Sequence, residues 1–349
     1  MRQLSFTCRS LALLGATLIA MLLTACERPP ELHKAEGEAQ GTSYHISYWR
    51  NGDVDEQAIA KDVVATFKQI DKAISTYRDD SWLAEFNHSR STEWQQAPPE
   101  VIELLGIADT IHQQSNGCYD PTIAPLFSLW GFHDHNFHVP DADAIATILA
   151  HVGLEHVQID AEHQRIRKDL PELSIDLSSL GEGYTIRRLS ERLESHGVTD
   201  YLVELGGDMK VRGHKPGGEK WRVGIESPVP DRIEAQKIVT IADESGVSLN
   251  TSGSYRRYFD DNGNTYSHII DARTGQPTTH ALVSASVFGV DPAVSDAWAT
   301  AMLCLGEQEG LRIARAQHLP IYFIEKHDNA FKVTLSPALE ASTRIGFEH

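Results

Sequence analysis

The spacing of apolar residues changes near residue 156, and this change constrains the fold more than any other feature of the chain. Before it, apolar residues recur every three to four positions, which predicts amphipathic helices over residues 56–75, 98–114 and 141–151. After it, short apolar runs predict strands at 156–160, 165–168, 173–177, 201–205, 221–225, 237–242, 266–271, 283–288, 321–325 and 331–335, and longer segments predict helices at 181–196, 296–305 and 307–317. Strands joined by short turns and interleaved with helices predict an α+β fold with mostly antiparallel sheets.

The N-terminal segment lies outside this pattern. Arg2 and Arg9 carry the only charges among the first 26 residues, and an apolar run over residues 11–23 follows them. The run is too short for an ordinary membrane span and ends in small residues before Cys26, which is the pattern of a lipoprotein signal peptide. We predict that residues 1–25 are removed, that Cys26 is acylated, and that residues 26–39 tether a domain of residues 40–345 to a membrane outside the cytoplasm.

The charge balance restricts the ligands that the domain is suited to bind. The chain has 31 Lys and Arg residues against 49 Asp and Glu residues, a net charge of −18. Nucleic acid binding requires a basic surface, so we expect no nucleic acid partner. A phosphate ligand would need a local cation to enter so acidic a protein.

Two cysteines, Cys118 and Cys304, lie beyond Cys26. A single disulfide between them is possible in an oxidising compartment, but two cysteines do not make a disulfide scaffold. We therefore favour two separate, buried thiols.

Two segments have compositions that suit ligand binding. Residues 118–132 combine two prolines with Trp-Gly-Phe, which predicts a rigid, aromatic-lined loop for a planar ligand, and Asp120 there could accept a hydrogen bond from the ligand. Residues 176–184 lead from a predicted strand into a helix through two glycines, a natural phosphate seat, but Glu182 between the glycines would repel phosphate unless a metal lies nearby. The alternatives are a packed loop with Asp120 as a turn cap, and a helix start with Glu182 in its first turn.

Two further segments offer a base and oxygen ligands for a metal. His268 lies near the end of a predicted strand and could take a proton from a hydroxyl near neutral pH, although the chain has 17 histidines. Asp296 and Thr300 are four residues apart at a predicted helix start, so they share one face and suit Mg²⁺. Alternatively, Asp296 is an N-cap and Thr300 bonds back to a carbonyl.

Seven motifs together resemble those of one protein family in content and order. They are YDPTIAPLFSLWGF, DLSSLGEGY, LVELGGD, WRVGIESP, TSGSYRRYF, HIIDARTGQP and SDAWATAMLCLG. Together they resemble the FAD:protein FMN transferases, formerly called thiamine biosynthesis lipoproteins, over about residues 36–340. The resemblance implies a two-lobed, single catalytic domain with a flavin cleft between the lobes.

The family resemblance also implies an activity and a set of site residues. The implied enzyme transfers the FMN half of FAD to a Thr or Ser hydroxyl of a target flavoprotein, with Mg²⁺ and with release of AMP. The implied partners are flavoprotein subunits of membrane redox ion pumps, of the sodium-translocating NADH:quinone reductase or Rnf type, at the periplasmic face of the inner membrane. The flavin contacts correspond to Gln40, Tyr77, Cys118, Tyr119, Asp120, Glu182 and Ile270; the metal ligands to Ser179 (through its carbonyl), Asp296 and Thr300; and the base to His268.

Two positions depart from the family pattern, and two other functions remain open. Gln40 stands where close relatives often have Met, and Ala299 stands where some have a second acid, which leaves a second metal site in doubt. The same residues would serve a metal-dependent FAD pyrophosphatase, in which water replaces the acceptor hydroxyl. A non-catalytic flavin-binding lipoprotein is the other alternative, and the presence of both Asp296 and His268 argues against it.

Overall fold

The structure is a computed structural model that describes residues 31–50, 52–229, 232, 234–328 and 330–348. The predicted signal peptide and Cys26 lie outside these residues. Within them, no helix combines the length and the apolar character needed to cross a membrane.

The helical predictions are confirmed in position, with differences at their ends. The helices are α1 Glu56–Ile74, α2 Trp82–His88, α3 Pro99–Gln114, α4 Ala124–Leu129, α5 Ala142–Leu149, α6 Ser178–Ser195, α7 Pro292–Gln317 and α8 Pro337–Glu340, with a 3₁₀ turn at Leu154–His156. The two helices predicted after residue 296 form α7, which is interrupted at Gly306, where φ is 76°. Helix α2 was not predicted, and α4 lies within the segment predicted as a loop.

The strands form one large sheet and several small ones, and every ladder in the described part of the chain is antiparallel. The strands are β1 His33–Ala39, β2 Thr42–Trp49, β3 Gln95–Gln96, β4 Val157–Asp160, β5 Arg165–Lys168, β6 Asp200–Leu205, β7 Asp208–Gly213, β8 Trp221–Glu226, β9 Ala235–Ile241, β10 Asp243–Gly253, β11 Tyr258–Asp261, β12 Asn264–Ser267, β13 Ile270–Asp271, β14 Gln276–Pro277, β15 Leu282–Gly289, β16 Ile321–His327, β17 Ala330–Leu335 and β18 Ile345–Phe347. The large sheet has the order β1-β2-β6-β7-β10-β15-β16-β17, and β18-β9-β8 and β3-β5-β4 form two three-stranded sheets. The predicted α+β fold with mostly antiparallel sheets is confirmed.

Three sequence predictions are wrong in this part of the structure. Residues 33–39, assigned to the tether, form β1 and pair with β2 along their whole length. Residues 173–177 are extended but form no strand, because Ile175 exchanges backbone hydrogen bonds with the Asn87 side chain instead of a neighbouring strand. The single strand predicted over residues 266–271 is divided between β12 and β13, with His268 between them.

The large sheet separates two layers of the core. In β16, Ile321 and Phe323 pack against the helices, whereas Tyr322 and Ile324 pack against the sheet of β8, β9 and β18. This strict alternation follows from the two-residue period of a strand buried on both faces. A separate apolar cluster joins residues 123–152 to the β11–β14 region, and it is the core of the second, smaller lobe.

Candidate active site

One cavity of 420 Å³ gathers most of the predicted site residues. It lies beside the turn between β6 and β7 and the end of β10, and residues of the smaller lobe form its opposite wall. Ten of the eleven predicted ligand and catalytic residues line it: Tyr77, Cys118, Tyr119, Asp120, Ser179, Glu182, His268, Ile270, Asp296 and Thr300. The residues predicted from separate motifs therefore meet at a single site.

Gln40 is the predicted contact that does not line this cavity. It lies in the β1–β2 turn, where its φ is 53°, and it lines an adjoining cavity of 140 Å³ together with Tyr77 and Glu182. Its amide nitrogen donates to Asp71 Oδ1 (3.0 Å), and its amide oxygen accepts from Thr185 (3.1 Å). Its amide is thus bound on both sides by the protein.

The Asp120 carboxylate holds its own segment together. Oδ1 accepts from the backbone and hydroxyl of Thr122 (2.8 and 2.6 Å), and Oδ2 accepts from the Leu154 backbone (3.0 Å). These bonds favour the turn-organising alternative that was left open for Asp120. Burial raises the pKa of Asp120, and these donors and His112 act against that shift.

Apolar and aromatic side chains form the wall that would accept a planar ligand. Phe127 and Ile270 line the cavity, and Tyr77 is 84% exposed at its rim. The prediction that the Trp-Gly-Phe sequence forms this wall is wrong. Trp130 and Phe132 are buried in the core of the smaller lobe, and the Trp130 indole donates to the Gly275 carbonyl (2.9 Å).

His268 is oriented as a base. Its Nδ1 lies 3.0 Å from the Arg257 carbonyl oxygen, which can only accept, so Nδ1 carries the proton and Nε2 has a free lone pair. Burial, followed by the nearby Arg257 charge, lowers the pKa of His268 to about 4 against the opposing hydrogen bond. The imidazole is therefore neutral at pH 7, which is the form that can accept a proton from a hydroxyl.

Three carboxyl groups, Glu182, Asp208 and Asp296, line one side of the cavity. Burial, followed by the charges of Asp208 and Glu204, raises the pKa of Glu182 to about 8. Burial, followed by the charges of Asp208 and Glu182, raises the pKa of Asp296 well above its usual range. The raised pKa values show that these carboxyl groups bind protons more readily than usual, and a cation bound among them would replace those protons.

The start of α6 differs from the predicted strand-to-helix junction. The helix begins at Ser178, so Gly181 and Gly183 lie inside it and Glu182 lies beyond its first turn. The phosphate seat formed by the two glycines and the alternative of a helix start with Glu182 in its first turn are therefore both wrong. Gly183 is instead required for packing, because a Cβ there would overlap the Pro292 carbonyl of α7. Asp296 likewise lies inside α7, whose N-cap is Asp291, so the N-cap alternative for Asp296 is wrong.

The predicted metal ligands fit a hard divalent cation. The Gly183 N–H donates to Asp296 Oδ2 (2.9 Å), and the Ser179 carbonyl one turn earlier has two lone pairs, so it has acceptor capacity beyond one helical hydrogen bond. The Thr300 hydroxyl lies one helical turn from Asp296 and contacts the Ser252 hydroxyl (2.9 Å). Ser179, Asp296 and Thr300 line one cavity, and a carbonyl, a carboxylate and a hydroxyl from them would form the oxygen donor set that Mg²⁺ prefers.

Three further residues that line the cavity, Asp208, Arg256 and Arg257, are not among those predicted from the sequence. Arg256 pairs with Glu226, and Arg257 donates to the Phe132 carbonyl. The Arg-Arg pair after TSGSY supplies the cations that a phosphate ligand needs in an acidic chain. Asp208 follows two turn glycines at the end of a predicted strand, a signal that could have identified it.

Cys118 and Cys304 form a disulfide bond, so the prediction of two separate thiols is wrong. Their Cα atoms are 5.9 Å apart although the residues are 186 positions apart in sequence. The bond joins the segment that leads to Asp120 with helix α7, four residues after Thr300. It therefore links two walls of the cavity.

Replacing both Cys118 and Cys304 by serine is expected to lower the free energy of unfolding by about 2–5 kcal/mol, because a cross-link over a long loop restricts the unfolded chain. Urea unfolding with and without reductant would measure the loss. Reductant should destabilise the unmodified protein and leave the double variant unchanged. A wild-type unfolding curve that does not respond to reductant, with the thiols shown to be free, would contradict the prediction.

Comparisons with known proteins agree with this geometry. The ApbE family model matches residues 40–323. A protein of Klebsiella pneumoniae named FAD:protein FMN transferase is 36% identical over 86% of this chain and 87% of its own length. One of the same name from Salmonella typhimurium is 35% identical over 95% of both chains.

Solved structures show the same relationship. The flavin transferase ApbE of Vibrio cholerae superposes with a TM-score of 0.81 at 31% identity, covering 89% of this chain and 99% of its own. The apo flavinyl transferase ApbE of Pseudomonas stutzeri gives a TM-score of 0.81 at 32% identity, covering 89% of this chain and 96% of its own. The family model matches most of the chain, and the predicted site residues lie around one cavity. The chain therefore belongs to the ApbE family.

Proposed function

We propose that the protein is an FAD:protein FMN transferase that moves the FMN half of FAD onto a Thr or Ser hydroxyl of a target flavoprotein. The observation that carries the proposal is the position of His268, with Nδ1 bonded to the Arg257 carbonyl, in the same cavity as Asp296 and Thr300. Relatives named for this activity support it.

The proposed reaction is one displacement at phosphorus. His268 Nε2 accepts the proton of the acceptor hydroxyl, whose oxygen forms a bond to the phosphorus of the FMN half. The bond from that phosphorus to the AMP oxygen breaks, and AMP leaves with the bonding electron pair. Arg256 and Arg257 line the cavity and would bind phosphate oxygens during this step.

The cation site has a defined part in this proposal. Ser179 through its carbonyl, Asp296 and Thr300 would hold Mg²⁺. The bound cation would supply charge neutralisation for the pyrophosphate oxygens. The chain's own residues orient this site, since the Gly183 N–H holds Asp296 Oδ2 and Ser252 contacts Thr300.

One incubation separates transfer from the pyrophosphatase and carrier alternatives. The full chain is mixed with FAD, Mg²⁺ and a candidate acceptor subunit of a membrane redox ion pump, and the products are analysed by mass spectrometry. Addition of FMN to an acceptor Thr or Ser, with one AMP per FMN, is the expected result. Free FMN with AMP would indicate a pyrophosphatase, and unchanged FAD would indicate a carrier.

We also propose that the enzyme works as a lipoprotein at the periplasmic face of the inner membrane, anchored through Cys26. The sequence before Cys26 and the implied membrane acceptors support this. Cys26→Ala is expected to abolish incorporation of labelled palmitate and to release or mislocalise the protein, because the acyl chains supply membrane affinity. Lipid labelling that persists in this variant would contradict the anchoring proposal.

A further inference from the structure

The turn between β6 and β7 brings an additional carboxylate to the cation site. Gly206 and Gly207 have φ values of 64° and 104°, and this conformation folds Asp208 back towards the cavity. The turn packs closely on α6, since a Cβ on Gly206 would lie 2.6 Å from Glu182 Oε2. The two glycines therefore set how near Asp208 can approach the other acids.

Asp208 is held more rigidly than the other two acids. Its side chain is buried, with Oδ1 accepting from the Thr251 backbone (2.8 Å) and Oδ2 from the Asn250 amide (2.8 Å). Asp296 accepts one such bond, from the Gly183 N–H, and it lines the same cavity as Asp208. After burial, the charge of Asp208 is the largest influence that raises the pKa of Asp296.

In the described part of the chain, these three acids have no basic partner in direct contact. Among the described residues, no Lys, Arg or His forms an ion pair with Glu182, Asp208 or Asp296. Ala299 lies between Asp296 and Thr300 in α7, so within this stretch the helix itself offers one carboxylate to the site. A divalent cation there would gain a second carboxylate from Asp208, on a different element.

We propose that Asp208 strengthens the cation site: held by Thr251 and Asn250 in the same cavity as Asp296, its carboxylate adds the second negative charge that gives the site its affinity. This inference rests on the proposed function, because it concerns the same cation. Polar groups next to the direct ligands typically change metal affinity by about 10–100-fold when they are removed.

The test is binding of Mn²⁺ alone to the FAD-free full chain, followed by the electron paramagnetic resonance signal of free Mn²⁺ and by competition with Mg²⁺. Asp208→Asn is expected to weaken Mn²⁺ binding by about 10–100-fold. The fold should tolerate this change, because the Asn250 amide can rotate so that its unpaired oxygen accepts from the new side chain. Without cation, the melting temperature should stay equal or rise, since one of three acids that line the same cavity is removed.

A matched control is Asp291→Asn, the same chemical change at the N-cap of the same helix. Asparagine still caps the helix, but the change removes the charge that pairs with Arg187 (2.7 Å), so it should lower the melting temperature and leave Mn²⁺ affinity unchanged. A purely structural Asp208 would behave like this control, with lower stability and unchanged affinity, and that result would overturn the proposal.

A second variant covers the case in which Asp208→Asn fails to fold. Asn250→Ala keeps the Asp208 charge and removes one of the two hydrogen-bond donors to Asp208, so it should also weaken Mn²⁺ binding. Unchanged Mn²⁺ affinity in this variant overturns the proposal.

The wild-type result separates the two proposals. If the wild-type chain takes up no Mn²⁺ at all, the cation requirement and the role of Asp208 are both contradicted. Uptake by the wild type with equal uptake by the variants rejects Asp208 alone and leaves the proposed function standing.

Discussion

Replacing His268 by alanine is expected to slow FMN transfer by about 10²–10⁴-fold while FAD affinity stays close to the wild-type value. The imidazole uses Nδ1 to donate to the Arg257 carbonyl, and Nε2 is left for the acceptor hydroxyl. FAD binding, followed by quenching of flavin fluorescence, and single-turnover transfer to the acceptor would separate the two effects. His138→Ala, at an exposed histidine of the neighbouring loop, is the control and should leave both quantities unchanged.

The pH dependence provides an independent check on the same residue. Because the pKa of His268 is lowered to about 4 in the free protein, mainly by burial, the base stays neutral as pH falls from 7 to 5. No loss of kcat/KM from His268 protonation is therefore expected above about pH 5. In the enzyme–FAD complex, the negative charges of the phosphates favour the imidazolium form of His268. A decrease of kcat at acidic pH should therefore occur at a higher pH than a decrease of kcat/KM.

The opposite pattern would change the assignment. If His268→Ala loses FAD binding and keeps its rate at saturating FAD, the histidine is a ligand contact. The base would then have to be found among the carboxyl groups of the cavity.

Replacing Asp296 by alanine is expected to reduce transfer by at least about 10³-fold, because a bound cation contributes several kcal/mol to stabilising charge at phosphorus. Excess chelator should reduce the wild-type rate to a similar level, and added Mg²⁺ should restore the wild type but not the variant. Stopped assays of AMP release would measure both.

The fold should survive this substitution. Burial and the charges of Asp208 and Glu182 raise the pKa of Asp296, so removing its carboxyl relieves an unfavourable contact in the cation-free protein. The melting temperature without Mg²⁺ should therefore stay equal or rise, whereas an Asp291→Ala control loses an N-cap worth about 1 kcal/mol and keeps its Mg²⁺ response. Full activity of the wild type in excess chelator would remove the cation from the mechanism.

The sequence by itself determined the elements whose signal is local. Helix α1 follows from apolar residues at helical spacing over residues 56–74, and β4 and β5 follow from two short runs separated by a turn. The seven ordered motifs pointed to the family and to the residues that the structure places around one cavity. These features could be predicted because each depends on residues that are close together in the chain.

Tertiary structure alone decided the features that depend on distant partners. Strand β1 has glutamates at its exposed positions and was assigned to a tether, because its apolar content is low and only pairing with β2 makes it a strand. The disulfide of Cys118 and Cys304 spans 186 residues, and Asp208 comes to line the same cavity as Asp296 where two glycines turn the chain. The spacing of residues along the chain gives no information on the distance between residues that are far apart in sequence. The pairing of the two thiols, the position of Asp208 in the same cavity as the other acids and the lowered pKa of His268 therefore arise only when the chain is packed.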